Sequence, residues 1–307
     1  MESPAQKVKL VRRGFPDMPD IAVTGATGRV GGALWRRLLA QGVSARALVR
    51  NPTAFAVRYP DSVAHPFSFE DIVAMTAAMQ GVNRIFLVTP DEDPRAQLQY
   101  ERNFAIAAQR AGVKHVIKLS AYLAGAQPPI SFGRYQRQSE QELETRMLTY
   151  THLRPAFFMQ SLSLFAKDIR SSGKLMAPAK SGEIAFVHID DIAAVAAKLL
   201  TQGGFENEAL TLTGPQAYSF DHVADRLSLL LEKRVRHVAP PKWLAKFVLP
   251  FQAGMSRHYA ALIVEMMASF ERGSEATVSD AVYAVTGEMP RSLDSYLEQN
   301  LQLFSHG

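Results

Sequence analysis

Apolar residues along this chain follow two periods in turn. Short β-rich runs, Ile21–Thr24, Ala45–Val49, Arg84–Val88, His115–Leu119, Thr151–Leu153 and Leu210–Leu212, are separated by stretches whose apolar positions recur every three or four residues. From Asp20 to about Thr213 the alternation predicts βαβ units, and so a parallel sheet with helices on both faces. The first helix is placed near Val30–Ala40, where Val30, Leu34 and Leu38 share a stripe, Arg36 and Arg37 lie elsewhere and Gly42 is the stop. Another runs from Pro94 or Arg95 to Arg110, with Leu98, Ala105, Ile106 and Ala108 apolar and Gly112 at its end. Beyond about Pro155 the alternation becomes irregular. Pro and Gly gather between Gly173 and Gly182 and between Pro240 and Gly254, which reads as a smaller cap. Within it Tyr259, Leu262, Ile263, Met266, Met267 and Phe270 keep i, i+3, i+4 spacing, an amphipathic helix that either fills a core or lines a pocket.

Composition removes whole classes of chemistry. Cysteine is absent, so neither disulfides nor thiolate catalysis is available, and the 8 histidines include no His-x-x-x-His pair, so no structural metal is expected. No apolar run reaches about 18 residues and the first residues lack the apolar core of a signal peptide, so a soluble, cytoplasmic protein with no membrane partner is expected. The net charge of +5 is spread without a basic block, which argues against a nucleic-acid partner and for a mild preference for anionic ligands.

The sharpest signal is Thr24-Gly25-Ala26-Thr27-Gly28-Arg29-Val30-Gly31, a glycine-rich turn that leaves a strand and opens a helix. Gly25 suits the tight turn, Gly28 lets a phosphate approach, and Gly31 allows helix and strand to pack closely. The helix N-terminus adds free N–H groups and partial positive charge. The fold class is therefore α/β: a Rossmann-type doubly wound parallel sheet with a smaller, mostly helical cap on the substrate side. Residues 1–17 are expected to be a flexible tail and 18–155 the dinucleotide-binding domain. Residues 156–307 are expected to form the substrate-side region, interleaved with strands returning to the sheet over about 183–213.

An NAD site ordinarily carries an acid at the end of the second strand, but here that strand ends Val49-Arg50-Asn51, and no Asp or Glu lies between Asp20 and Asp61. Arg29 and Arg50 suit a ribose 2′-phosphate instead, so NADP(H) is the expected cofactor. Its binding residues are expected at Gly25, Ala26, Thr27, Gly28, Arg29, Val30, Arg50 and Asn51.

Taken in order, several motifs resemble the NmrA-like branch of the atypical short-chain dehydrogenase/reductases, over about Met18 to Leu297. They are Thr24-Gly25-Ala26-Thr27-Gly28, Arg50-Asn51-Pro52, Gly81-Val82-Asn83 before Phe86-Leu87-Val88-Thr89-Pro90, and Leu153-Arg154-Pro155 with Phe158-Met159-Gln160. Val187-His188-Ile189-Asp190-Asp191-Ile192-Ala193 and Thr211-Leu212-Thr213-Gly214-Pro215 continue the pattern. That family includes NADPH:quinone oxidoreductases and redox-sensing regulators. The resemblance implies a nicotinamide pocket at the carboxyl ends of the strands, with Thr89 and Pro90 after the fourth, Ser120, Ala121 and Tyr122 after the fifth, and Pro155, Ala156, Phe157 and Phe158 from the sixth.

The catalytic expectation is weaker. Short-chain dehydrogenases use Tyr-x-x-x-Lys, whose lysine makes the phenol a better proton donor, but Tyr135 is followed at that spacing by Ser139. Tyr135, with Arg134 and Arg137 standing in for the lysine, and Tyr122 are the candidate donors. A quinone or another conjugated carbonyl takes hydride without a tuned acid, so an NADPH-dependent reductase of a small aromatic or quinonoid acceptor is the first reading, with Phe157, Phe158 and the Tyr259–Phe270 helix as walls. The alternative is a non-catalytic NADP(H)-binding redox sensor, motivated by the broken dyad. An epimerase or dehydratase fits less well, because those also use the dyad. A homodimer is left open. His188 and Asp190 read as a strand end with helix-capping acids, and Ser219-Phe220-Asp221 as an N-cap before Val223, Leu227 and Leu230. No Gly-x-Ser-x-Gly elbow is present.

Overall fold

The computed structural model describes residues 20–90, 93–125, 130–253 and 256–305, and the expected tail over 1–17 lies outside them. In chain order the first half runs β1 (Ile21–Thr24), α1 (Arg29–Ala40), β2 (Arg46–Val49), α2 (Pro52–Arg58), β3 (Val63–Pro66), α3 (Ile72–Ala78), β4 (Arg84–Leu87), α4 (Pro94–Ala111), β5 (His115–Leu119), α5 (Ser131–Glu144) and β6 (Tyr150–Pro155). The second half adds α6 (Ala166–Ser172), β7 (Lys174–Met176), α7 (Ile189–Gln202), β8 (Glu208–Leu212), α8 (Phe220–Leu230), β9 (Arg236–Val238), α9 (Lys242–Ala253), α10 (Arg257–Phe270), α11 (Ala281–Thr286) and α12 (Leu293–Gln299).

Seven parallel strands form one sheet in the order β3-β2-β1-β4-β5-β6-β8. The order reverses direction between β1 and β4, and such a switch opens a crevice at the carboxyl edge. Every residue of β1 and β2 is buried, as expected of strands covered on both faces. Val23 belongs to the core that holds Leu34 and Trp35 of α1 and Ile192 of α7, while its neighbour Ala22 belongs to the one that holds Met75 of α3 and Phe104 of α4. Trp35 meets Phe55 edge-on at 5.3 Å, closing the core under α2.

The second half of the chain feeds both bodies. α7, β8 and α11 pack into the sheet's core, whereas α6, α8, α10 and α12 gather a second core around Phe186, Phe220 and Phe270. β7 and β9 pair with each other, apart from the main sheet.

Sequence patterning does not predict β3, β7 or β9. β3 is an edge strand carrying His65 and Pro66 and is only partly buried, so it shows no apolar run, and the other two are three residues each. α10 matches its predicted period: Leu262, Met267 and Phe270 are buried and Ile263 and Met266 partly so, while the side chain of Tyr259 lies outside those described. Among the described residues no helix is long and apolar enough to cross a membrane.

Candidate functional site

The glycine turn joins β1 to α1 at the point where the strand order reverses. Thr24, fully buried, donates its hydroxyl toward the carbonyls of Phe86 and Val88 and accepts from the Val88 N–H at 2.8 Å, which locks β1 to β4 beneath the loop. Gly25 adopts φ +61°, and a Cβ there would lie 2.4 Å from Val88 Cγ1. A Cβ on Gly31 would sit 2.2 Å from the Gly25 carbonyl oxygen, so α1 packs against the turn as closely as the sequence pattern implies.

At Gly28, the N-cap of α1, no side chain caps the helix, and its first turn holds no acid. The free N–H groups there suit an anion. Arg29, in that first turn, and Arg50, at the end of β2, are both exposed, and neither guanidinium is engaged by a described residue. An uncapped helix start flanked by two free arginines is a donor set for a pyrophosphate and a 2′-phosphate, so the residues present fit NADP(H).

The remaining residues of this loop divide by direction. Ala26 and Val30 are buried, with Val30 turned into the core, so only their backbone is left for a ligand, while Thr27 is exposed. Asn51 caps α2, its Oδ1 accepting from the Ala54 N–H at 2.9 Å.

Across the carboxyl edge, β4 and β5 run in parallel register with Leu87 beside Lys118. Two residues further, Thr89 donates to Glu101 Oε1 at 3.1 Å and Ser120 donates to Glu140 Oε1 at 2.7 Å. The Pro90 carbonyl accepts from Gln97. Ala121 and Tyr122, partly buried, lead into a short 3-10 turn, and the Tyr122 hydroxyl bonds to no described residue. On the β6 side, Pro155 pairs with Leu212, and the two phenylalanines after it diverge. Phe157 packs edge-on against Phe186 and Phe270 of the cap core, and Phe158 against the sheet core.

Tyr135 lies half-buried on α5, one turn before the buried Ser139, and its hydroxyl bonds to no described residue. Arg137, which was expected to substitute for the missing lysine, is turned away: it grips Glu144 at 2.6 and 2.8 Å and Glu140 at 3.2 Å. Arg134 reaches Ser131 of its own helix. Neither guanidinium is hydrogen-bonded to the Tyr135 hydroxyl among the described residues. His188 also differs from expectation, since it caps α7 itself, its Nδ1 accepting from the Asp190 N–H. Asp191 is spent on the Arg291 backbone and guanidinium. Ser219 caps α8 as its motif implies.

Several buried charges have no sequence signature. Lys118 and Glu101 form an ion pair of 2.7 Å with side-chain exposures of 1% and 2%. Glu140, Glu144 and His152 bring their ligand atoms within 4.8 Å of one another, a spacing a metal would accept. Arg137 and Arg154 already neutralise those carboxylates, and burial pushes His152 down to about 4, leaving it neutral. Glu275 is buried beside Phe157. Its Oε2 accepts the Phe157 N–H at 2.7 Å, and burial raises its carboxyl to about 8 against that bond. Apart from Arg137 with Glu140 and Glu144 on α5, these partners come from different elements, so no local pattern announces them. Of this group, Arg137, beside Tyr135, and Arg154, inside the Leu153-Arg154-Pro155 motif, stand out in the sequence.

The model of the NmrA-like family matches residues 18–297. The chain is similar to an NAD(P)H azoreductase of Xenophilus azovorans, 32% identical over 287 residues that cover 92% of this chain and 99% of that one. It is also similar to quinone oxidoreductase 2 of Escherichia coli (strain K12), 29% identical over 220 residues, or 71% of this chain and 76% of that protein. Among solved structures, the triphenylmethane reductase of Citrobacter sp. complexed with NADP(H) shares the fold with a TM-score of 0.80 at 25% identity, covering 91% of this chain and 99% of that one.

Proposed function

This chain belongs to the NmrA-like family, and from that premise we propose that it is an NADP(H)-dependent oxidoreductase passing hydride to a flat conjugated acceptor such as a quinone. The observation that carries the reading is the uncapped start of α1 between the free guanidinium groups of Arg29 and Arg50. The α1 N–H groups hold the pyrophosphate, and Arg50 with Arg29 selects the 2′-phosphate by charge-assisted hydrogen bonds. When bound, NADPH supplies the hydride. The chain orients the reactants: Phe157 and Phe158 wall the crevice from β6, and α10 is tied to the start of α5 by Glu265, which accepts the Ser131 N–H. A quinone gains one hydride and one proton to become a hydroquinone, and water at the crevice mouth delivers that proton without a tuned side-chain acid. This agrees with an α5 that carries Tyr135 but no lysine one turn later. The azoreductase and quinone oxidoreductase relatives support acceptors of this kind.

The test is a fluorescence titration of NADPH and NADH, with the natural protein and Arg50→Ala, followed by a quinone in the same cuvette. NADPH is expected to bind roughly tenfold or more tightly than NADH, Arg50→Ala to remove that margin, and the signal to decay over many turnovers. NADPH that binds yet stays unoxidised across a broad acceptor panel would leave the non-catalytic sensor reading, which the absent dyad favours. If neither nucleotide binds, the cofactor assignment fails.

A further inference from the structure

The hydroxyls that follow β4 and β5, those of Thr89 and Ser120, each have their single proton drawn onto a carboxylate. Thr89 and Ser120 stand next to each other if the β4–β5 register, Leu87 beside Lys118, is continued by two residues. Each hydroxyl touches a carboxylate oxygen behind it, Glu101 Oε1 at 3.1 Å and Glu140 Oε1 at 2.7 Å. An ionised carboxylate has no proton to give, so in each pair the hydroxyl must be the donor. What a hydroxyl then presents forwards is lone pairs alone.

Both carboxylates are paired with cations. Glu101 is held by Lys118 at 2.7 Å, with both side chains almost wholly buried. Glu140, with no exposed side-chain surface, is gripped by Arg154 at 2.8 and 2.6 Å and by Arg137 at 3.2 Å. Burial disfavours the Glu140 charge, but the hydrogen bonds from Arg154 and Ser120 outweigh it and keep the carboxyl below its ordinary value. Buried ion pairs are costly to form and apolar pairs replace them readily, so these invite an explanation other than stability.

We propose that Glu101 and Glu140 are positioning residues that make Thr89 and Ser120 obligate hydrogen-bond acceptors for the nicotinamide riboside half of the cofactor, whose uncharged carboxamide N–H and ribose O–H groups are donors. The inference rests on the NADP(H) reading above. It gives the crevice a polarity: N–H donors and arginines at the α1 end take the anionic half, and acceptors at the β4–β5 end take the donor-bearing half and disfavour phosphate. It also removes Ser120 as a proton source for the reduced acceptor.

The experiment compares the natural protein with Thr89→Val, Thr89→Ser, Ser120→Ala, the double variant Glu101→Leu/Lys118→Met, and that double variant combined with Thr89→Val. The double variant removes both charges together, so neither is stranded. The probes are NADPH, reduced nicotinamide mononucleotide and 2′,5′-ADP, with melting temperature recorded for each protein. Thr89→Val, Ser120→Ala and the double variant are each expected to weaken NADPH and the mononucleotide about tenfold, with 2′,5′-ADP unchanged. Thr89→Ser is expected to keep full affinity. Thr89→Val is expected to add nothing on top of the double variant, because the buried pair acts through that hydroxyl. Unchanged NADPH affinity in Thr89→Val and Ser120→Ala overturns the proposal, as does an equal loss for 2′,5′-ADP. A double variant that melts earlier but binds NADPH normally would reduce the pair to a structural one. Should the double variant not fold, Thr89→Val against Thr89→Ser decides alone. If the natural protein binds 2′,5′-ADP but no variant differs, only this inference falls; if it binds none of the probes, the cofactor reading falls as well.

Discussion

At Glu275 the folded chain keeps a proton until about pH 8, whereas the unfolded chain releases it near the ordinary glutamate value of 4.5. Between those limits the folded state binds more protons, so stability falls as pH rises. Each pH unit in that window removes up to about 1.4 kcal/mol. Glu275→Gln keeps an oxygen for the Phe157 N–H and has no proton to lose. It is expected to flatten the fall in melting temperature between pH 5 and 8 and to be the more stable protein at pH 8; an unaltered slope would exclude Glu275 as its source. Gly31 acts through space. A methyl group there meets the Gly25 carbonyl oxygen at 2.2 Å, and backbone cannot swing aside as a side chain does. Gly31→Ala is expected to cost about 2–3 kcal/mol in urea unfolding. The two residues differ in legibility. Gly31 announces itself because its reason lies six positions away, at Gly25, whereas Glu275 meets Phe157 across 118 positions.

At the level of elements, one arginine ties the sheet to its covering helix. Arg154 reaches from β6 to Glu140 on α5, and without it the wholly buried carboxylate keeps the Ser120 hydroxyl and, as a cation, the longer contact to Arg137. Arg154→Met is expected to cost about 3–5 kcal/mol, and Glu140→Leu/Arg154→Met together markedly less, since no charge is then left unpaired. Equal losses in urea unfolding would show that the bond matters for reasons other than charge. Elements with a strong period were legible. β1, β5, α1, α4 and α10 each carry several turns or a full run of apolar residues between clear stops. β7 and β9 are stable only against each other, a pairing between Leu175 and His237 that no window of sequence contains. The arginine-bearing loop was readable for the same reason as α1, because glycines, strand and helix follow without a break. The acceptor-only floor was not, because its carboxylates arrive from α4 and α5.

For the whole molecule, a ligand that binds only the folded state shifts unfolding by mass action. At a hundredfold excess over its dissociation constant, NADPH is expected to add about 2.7 kcal/mol, readable as a rise in melting temperature that Arg50→Ala reduces at the same concentration. A melting temperature indifferent to NADPH would contradict the cofactor assignment. The sheet's strand order carries a further consequence. β8 takes its place beside β6 only after the chain has passed through α6, β7 and α7. A nascent chain leaving the ribosome therefore exposes the backbone of Tyr150–Pro155 as an open edge while those elements are still being synthesised. Unpaired edges recruit other strands, and a stalled or truncated product ending near Ser172 would aggregate through that edge, where the complete chain covers it with Glu208–Leu212.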